Sequence, residues 1–302
     1  MHEVGAQLLV RGWLSANNIV FRGEGELPAT VVDTGYVSHG DQTLALVGAA
    51  LRDKPLSRIV NTHLHSDHCG GNALLCRAWP DVRISVPAGY RSAVAPWDEA
   101  LLSYRLTGQA CEPFTVDEFL QPGQSIALAG REWQVHAAPG HDPDAVVLFE
   151  PRQRVLISGD ALWASRLAII FPALSGEGGF RETRETLDII ERLEPRVVLP
   201  GHGDAFTDVA GAIAQSRARL DAFERDPDRH RQHAVRALVV YHMLDVTRAE
   251  RADLIRWIAS TPIFQQAFGC LENFNEAEGH ARVIVARLVR DGVLQATGSM
   301  IH

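Results

Sequence analysis

Basic residues, cysteine and long apolar runs are all scarce in this sequence of 302 residues. Arginine supplies every cationic side chain except Lys54, and 37 acidic residues against 29 basic ones leave a net charge of −8. A binder of nucleic acid normally carries a basic patch, which this composition does not offer. Nucleic acid is therefore disfavoured as a partner, although a net acidic protein can still contain a small basic groove.

The four cysteines are too few and too scattered for a disulfide framework, so we expect reduced thiols in a cytoplasmic protein. Membrane-spanning helices need about 18 or more consecutive apolar residues, which the sequence lacks, so we expect no membrane partner. The first residues lack a basic stretch followed by an apolar one, and we expect no secretory signal. With 46% hydrophobic residues the chain can bury a substantial core.

Short apolar runs that end in glycine or polar residues predict strands through the first 200 residues. They lie at 7–11, 18–22, 27–33, 57–62, 84–86, 125–129, 133–137, 145–149, 154–158 and 196–199. Helical spacing at 42–52, 69–79 and 181–193 separates several of them. This order predicts two sheets with helices outside them. Segment 88–120 is less regular, and is either a lid or binding segment or an ordinary surface helix.

After residue 206 the pattern becomes helical, with helices predicted at 208–224, 231–244 and 281–290. Capping boxes at 247–250 and 275–278 are expected to begin two helices, and 293–297 could form a terminal hairpin. Three helices with a two-stranded wing are typical of a winged-helix domain. We therefore predict two domains, at residues 1–225 and 232–302.

The most specific motif is His63-Leu64-His65-Ser66-Asp67-His68, which places four ligand-type side chains within six positions. At a strand end, residues two apart point the same way, so His63 and His65 can reach one metal together. Asp67 and His68 lie beyond the strand end, where they can face a second metal. Imidazole and carboxylate groups suit zinc, although iron or manganese could also bind them.

Three later ligand-type residues each follow a predicted strand and a glycine. They are His141, Asp160 and His202. Functional side chains gather at such positions on a rigid scaffold. Each of the three alone is typical of an ordinary turn residue, but together with the motif at 63–68 we expect all three to bind metal. Asp142 or Asp144 either orients a ligand histidine or makes a turn, whereas His136 and Cys69 are expected to be structural. Aromatic side chains follow Asp160 and either line a substrate pocket or pack the edge of the sandwich. They are Trp163, Phe171 and Phe180.

In order and approximate spacing, these seven ligand candidates resemble the motif set of the metallo-β-lactamase superfamily, over about residues 1–210. The resemblance implies an α+β fold, an αββα sandwich with metals at one edge, followed by a small, mainly helical domain. It assigns one zinc to His63, His65 and His141, a second to Asp67, His68 and His202, and the bridging position to Asp160. With aspartate rather than cysteine at that position, the ligand set resembles that of the glyoxalase II-type hydrolases. The tail is similar to the winged-helix tail of some lactamase-like hydrolases, including single-strand endoribonucleases.

These features predict a dinuclear zinc-dependent hydrolase of a small ester, thioester or lactone. A hydroxide bridging the two zinc ions would be the nucleophile, with Asp67 and Asp160 as catalytic residues. One alternative is a single-strand endoribonuclease that uses the tail. Another is a mononuclear iron persulfide dioxygenase, against which the complete second ligand set argues. A structural metal site with the tail as an interaction module is the non-catalytic alternative. The substrate would be a small molecule, and the neutral tail could pair two chains as a homodimer.

Overall fold

The computed structural model describes residues 4–269 and 273–302, and its first sheet is built from the N-terminal 120 residues. This sheet has six strands in the spatial order β1 to β6, antiparallel from β1 to β3 and parallel from β3 to β6. The strands are β1 (Ala6–Leu9), β2 (Asn18–Phe21), β3 (Ala29–Val32), β4 (Leu56–Val60), β5 (Arg83–Pro87) and β6 (Glu118–Leu120).

The second sheet has five strands in the spatial order β11-β10-β9-β8-β7. They are β7 (Ser125–Leu128), β8 (Arg131–Ala137), β9 (Val146–Glu150), β10 (Val155–Gly159) and β11 (Val197–Pro200). Neighbouring strands are antiparallel except β10 and β11, which are parallel and therefore end at the same edge.

Alternation along the strands explains why the two sheets stack and why helices cover their outer faces. Val60 and Ile157 point between the sheets, into a core that contains the fully buried Trp133. Their neighbours Ile59 and Leu156 point outward, because successive side chains on a strand face opposite sides. The outward apolar rows are covered by helices, which gives the predicted αββα sandwich.

Helices α1 (Gly40–Leu51), α2 (Ser66–Cys69) and α3 (Asn72–Ala78) belong to the first sheet, and α7 (Phe180–Leu193) and α8 (Val209–Arg225) to the second. Segment 88–120 contains α4 (Arg91–Val94), α5 (Tyr104–Thr107) and strand β6. The irregular sequence of this segment did not predict the strand. Helix α6 (Phe171–Ser175) follows β10. The predicted helix at 69–79 is two helices, interrupted at 70–71.

The C-terminal region consists of helices and a small sheet that pack against loops of the sandwich. Its elements are α9 (Pro227–Val246), β12 (Ala249–Glu250), α10 (Arg251–Ser260), α11 (Pro262–Phe268), α12 (Phe274–Arg290), β13 (Ala296–Thr297) and β14 (Met300–Ile301). Its apolar core includes Leu174 and receives Leu106 and Phe171 from the sandwich side. The predicted domain boundary at 225–232 spans the end of α8 and the first turns of α9.

Three local predictions in this region are wrong. Thr247 ends α9 instead of capping α10, because residues 249–250 pair with β14 as a strand. Helix α12 begins earlier than the predicted box at 275–278, since the side chain of Asn273 accepts from the N–H of Glu276. The terminal hairpin lies at 296–301, beyond the predicted 293–297.

Among the described residues, no helix combines the length and apolarity needed to cross a membrane. Cys69, Cys76 and Cys111 are free thiols, as expected, and Cys270 lies outside the described residues.

Candidate metal centre

All seven predicted ligands meet at one edge of the sandwich, in two groups. His63 and His65 follow β4, and Asp67 and His68 lie in α2 directly after them. His141 lies in the turn between β8 and β9, and Asp160 and His202 follow the parallel strands β10 and β11. Strand ends from both sheets therefore bring together residues that are up to 139 positions apart in the sequence.

The first group consists of three imidazoles whose nitrogens converge. His65 Nδ1 lies 3.1 Å from His63 Nε2 and 2.8 Å from His141 Nε2. Three nitrogens at this spacing match the ligand set of a three-histidine zinc site, which leaves a further coordination position open.

The second group consists of two imidazoles and two carboxylates. Asp67 Oδ2 lies 3.0 Å from His202 Nε2 and 3.7 Å from His68 Nε2. Asp160 Oδ1 lies 3.3 Å from His68 Nε2, while its other oxygen lies 3.5 Å from His141 Nε2 in the first group. Asp160 is thus the residue that connects the two groups.

In the first group, the ring nitrogens of His63 and His141 that face away from the centre have partners outside it. Thr62 Oγ1 lies 3.1 Å from His63 Nδ1, and the carbonyl oxygen of Ile169 lies 2.6 Å from His141 Nδ1. Such outward partners fix the orientation and tautomer of metal-binding histidines, so that the inner nitrogen is free to bind. The donor set and its supports therefore fit a metal centre.

Burial sets the protonation of the first group. It lowers the pKa of His65 and His141 to about 4, and lowers that of His63 well below its usual value with help from the neighbouring imidazoles. All three rings are consequently neutral at pH 7. Because metal binds only the neutral imidazole, this part of the centre needs no proton release before a cation enters.

The second group requires a positive charge. Burial alone would raise the pKa of Asp160, but His68 and His202 hold it well below its usual value. Burial likewise opposes a proton on His68, yet Asp160, Asp33 and Asp67 raise its pKa well above the usual value. Buried carboxylates in this arrangement demand a cation, which is the charge that a bound metal would supply.

Asp33 is the site residue that the sequence patterns did not identify. It ends β3 in a left-handed conformation with φ 56°, and it is 3% exposed. One carboxylate oxygen accepts from the backbone N–H of Thr62, and the other lies 2.8 Å from His68 Nδ1. The sequence did offer a signal for Asp33: it is an acidic residue at the end of a strand, next to the strand that leads into the motif at 63–68.

Asp142 lies beside a ligand histidine and also forms the turn after it, so both of the open alternatives apply to it. Its Oδ2 lies 3.4 Å from His65 Nε2, and its Oδ1 accepts from the hydroxyl of Tyr90 and from the N–H of Asp144. Asp144 itself does not contact the histidines. His136 lies on β8 beside Gln134, away from both ligand groups.

Two further expectations concern side chains near the centre. Cys69 is fully buried, 3.2 Å from the Tyr104 hydroxyl, as expected for a structural thiol. Of the aromatic residues after Asp160, Trp163 and Phe171 line a pocket at the centre, whereas Phe180 packs against His230.

A cavity of about 420 Å³ opens onto the two ligand groups. Loops of the sandwich supply Trp13, Gln109 and Trp163, and one face of α9 forms the opposite wall, with Leu238 and Tyr241 among its residues. Apolar and aromatic walls around a few polar groups are typical of small-molecule sites. The irregular segment 88–120 contributes through Gln109, whose carbonyl oxygen accepts from Ser66 beside the ligands.

A family model described as the metallo-beta-lactamase superfamily matches residues 11–202, which include every proposed ligand. The chain belongs to this superfamily. It is 30% identical over 165 residues to a hydroxyacylglutathione hydrolase of Synechococcus sp. (strain JA-3-3Ab), covering 55% of this chain and 54% of that protein. It is 26% identical over 174 residues to the metallo-hydrolase YybB of Bacillus subtilis (strain 168), covering 58% and 75%. The chain thus spans about half the length of the cyanobacterial relative.

Solved structures agree on the fold. A metallo-beta-lactamase family protein from Thermus thermophilus superposes with a TM-score of 0.59 at 21% identity, over 98% of this chain and 96% of that one. A beta-lactamase domain protein from Burkholderia ambifaria gives 0.58 at 24% identity, over 96% and 88%. Both likenesses extend through the C-terminal helices. Proteins of this superfamily bind metal ions, and the two ligand groups are where this chain would hold them.

Proposed function

We propose that this chain is a dinuclear zinc-dependent hydrolase of a small ester, thioester or lactone. The observation that carries the proposal is the pair of ligand groups joined by Asp160, because one carboxylate shared by two cation sites is suited to hold two metals close together. The pocket beside them is open to a small molecule. Relatives named hydroxyacylglutathione hydrolase add support for a thioester.

Two zinc ions would lower the pKa of a coordinated water and polarise the substrate carbonyl. The residues of the chain prepare and surround this chemistry. Asp67 lines the pocket next to His202, and its pKa is lowered: burial opposes the charge, but His68 and His202 outweigh it. An ionised carboxylate at this position can accept a proton from the attacking water. Trp13, Trp163 and Phe171 exclude bulk water around the reacting carbonyl.

The endoribonuclease alternative receives no support from the charges of the tail. Several arginines on its helices pair with nearby carboxylates, as Arg256 does with Asp253 and Arg282 with Glu278. Arg236 has no such partner in the described part of the chain, but it lines the pocket beside the metal centre. A surface that binds RNA phosphates needs unpaired basic groups in a patch. The dioxygenase alternative uses one metal, and the assembled second group argues for two.

The test is hydrolysis of S-lactoylglutathione, a simple acyl thioester, an aryl ester and a lactone by zinc-reconstituted protein and by chelated protein. We expect zinc-dependent cleavage of at least one class, with the fold largely retained after chelation. Unfolding on chelation would instead indicate a structural metal site.

Variants sharpen the same test. Asp160→Ala and His141→Ala should each abolish turnover and reduce metal content, whereas Asp204→Ala should leave both unchanged, since Asp204 is an exposed carboxylate two residues after His202. Full activity and metal content in Asp160→Ala would show that the ligand assignment is wrong. Cytoplasmic location and pairing of two chains stay predictions.

A further inference from the structure

One end of the pocket is positively charged in a protein that is otherwise acidic. Arg166, from the loop after β10, and Arg236 and His233, from α9, all line it. Among the described residues that line the pocket, the carboxylates are Asp67 and Asp160, both of which belong to the metal centre. The cationic end therefore lacks a local counter-charge from the pocket walls.

These two arginines differ from most others on the surface. Arg184, Arg217 and Arg231 each form an ion pair with a carboxylate. In the described part of the chain, neither Arg166 nor Arg236 has such a partner, and both side chains are exposed. Guanidinium groups that face a cavity without a carboxylate are available to an anionic ligand.

Position links the cationic end to the metal centre. The Arg166 guanidinium lies over the Trp13 ring, 4.8 Å from its centroid. Trp13 in turn stacks on His202, with the ring centroids 5.2 Å apart and the planes at 12°. These two distances place the Arg166 guanidinium up to about 10 Å from the His202 ring, and an anion on its outer side a few ångström further, which a single small substrate can span.

Helix α9 presents the other half of this end. Its pocket-lining residues recur on successive turns and so lie mainly on one face. They are His233, Arg236, Ala237, Leu238, Val240, Tyr241 and Leu244. Burial lowers the pKa of His233, and the guanidinium groups of Arg219, Arg166 and Arg236 lower it further, so the positive charge at this end comes from the arginines and not from His233.

We propose that Arg166 and Arg236 form an anion subsite, which binds a carboxylate or phosphate of the substrate while its scissile carbonyl lies at the metal centre. This rests on the proposed hydrolase function and narrows its substrate class. The substrate is an ester or thioester with an apolar middle and an anionic end, roughly six to ten bonds from the reacting carbonyl, given the spacing of the two ends of the pocket.

Matched substrates test the proposal and distinguish the two anions. The carboxylate pair is a suberyl monothioester and its methyl ester, and the phosphate pair is the acetyl thioester of 4-mercaptobutyl phosphate and that of 4-mercaptobutanol. We expect at least one anionic member to exceed its neutral counterpart about tenfold in kcat/KM, mainly through KM, as one charge-assisted hydrogen bond would give. The preference should shrink at high salt, because exposed charges are screened.

Arg166→Ala and Arg236→Ala should each remove most of this preference and leave the neutral substrates unchanged. Arg231→Ala is the matched control, since Arg231 lies on the same helix but pairs with Asp228 outside the pocket. Arg236→Gln replaces Arg236→Ala if the latter fails to fold. Equal kcat/KM within both pairs, or an unchanged preference in both arginine variants, would overturn the subsite.

A binding measurement separates failure of the subsite from failure of the proposed hydrolase. Suberate and inorganic phosphate are titrated into chelated protein while tryptophan fluorescence is followed. The fluorescence change that is lost in Trp13→Phe is the change that arises from Trp13 in the pocket. Saturable binding that Arg166→Ala weakens about tenfold supports the subsite. If such binding occurs but no substrate is cleaved, the hydrolase proposal is wrong and the subsite stands. Cleavage of neutral thioesters with no saturable binding overturns the subsite alone.

Discussion

Replacing Asp33 with asparagine should weaken the second metal site and spare the first. Asp33 accepts three hydrogen bonds, from the backbone and hydroxyl of Thr62 and from His68 Nδ1. Asparagine has nearly the same volume, tolerates the left-handed backbone at φ 56°, and keeps one oxygen for the Thr62 N–H. Its amide nitrogen, however, cannot accept from His68.

The size of the effect follows from what His68 loses. Without an acceptor at Nδ1, the imidazole can move its proton to Nε2, the nitrogen that faces Asp160, and a protonated nitrogen cannot bind metal. Loss of such an outward partner typically weakens metal binding about 10- to 100-fold, which is about 1.4–2.7 kcal/mol. Asp33 reaches the first group only through Thr62, whose hydroxyl oxygen can still accept from His63 Nδ1 in the variant, so the first group should keep most of its affinity.

Competition between the protein and a chromophoric zinc chelator measures both equivalents separately. Asp33→Asn should weaken one equivalent and leave the other unchanged, and Asp81→Asn, at an exposed aspartate, should shift neither. An unchanged titration curve for Asp33→Asn, or an equal loss at both equivalents, would refute the assigned role of this carboxylate.

Three further changes have defined outcomes. Gly201→Ala should lower metal content without unfolding the protein, because a Cβ there would overlap Asp160 and displace it; metal analysis with circular dichroism checks this. Tyr90→Phe removes a hydroxyl that donates to Asp142, and should weaken zinc binding at the site of His63, His65 and His141 less than Asp142→Ala does in the same titration. Acidification should destabilise the metal-free protein between about pH 6.5 and 4, since burial lowers the pKa of His230 to about 4 while the unfolded chain binds the proton near 6.5. Urea unfolding at pH 7 and pH 5 checks the sign, and equal or greater stability at pH 5 would contradict it.

The ligand positions could be predicted because local sequence determines them. His63 and His65 follow an apolar strand at a spacing of two, and each later candidate follows a strand and a glycine. Strand ends of stacked sheets converge, so the chemistry of the residues and the strand pattern together were sufficient.

Residues that act across long sequence distances could not be predicted in this way. Arg166 and Arg236 lie 70 positions apart, and neither occupies a recognisable motif. They meet only because α9 packs across the mouth of the sandwich, which no local pattern encodes. Likewise, Asp33 resembles any aspartate at a turn until β3 and β4 pair and bring it to His68.

Errors at the C-terminal end have a related cause. Thr247 begins a sequence typical of a capping box. Residues 249–250 nevertheless pair with β14 as a strand, so the helix starts only after them. Tertiary pairing here overrides a local helix signal. The start of α12 at Phe274 shows the same limit, because two neighbouring asparagines could cap it and only packing selects Asn273.

The most direct test of the two-metal account is a crystal structure of the zinc-reconstituted protein, with anomalous diffraction recorded on both sides of the zinc absorption edge. The account predicts two zinc peaks per chain, one in contact with His63, His65 and His141 and the other with Asp67, His68 and His202, and both in contact with Asp160. A single peak, or a second zinc bound away from these side chains, would contradict it.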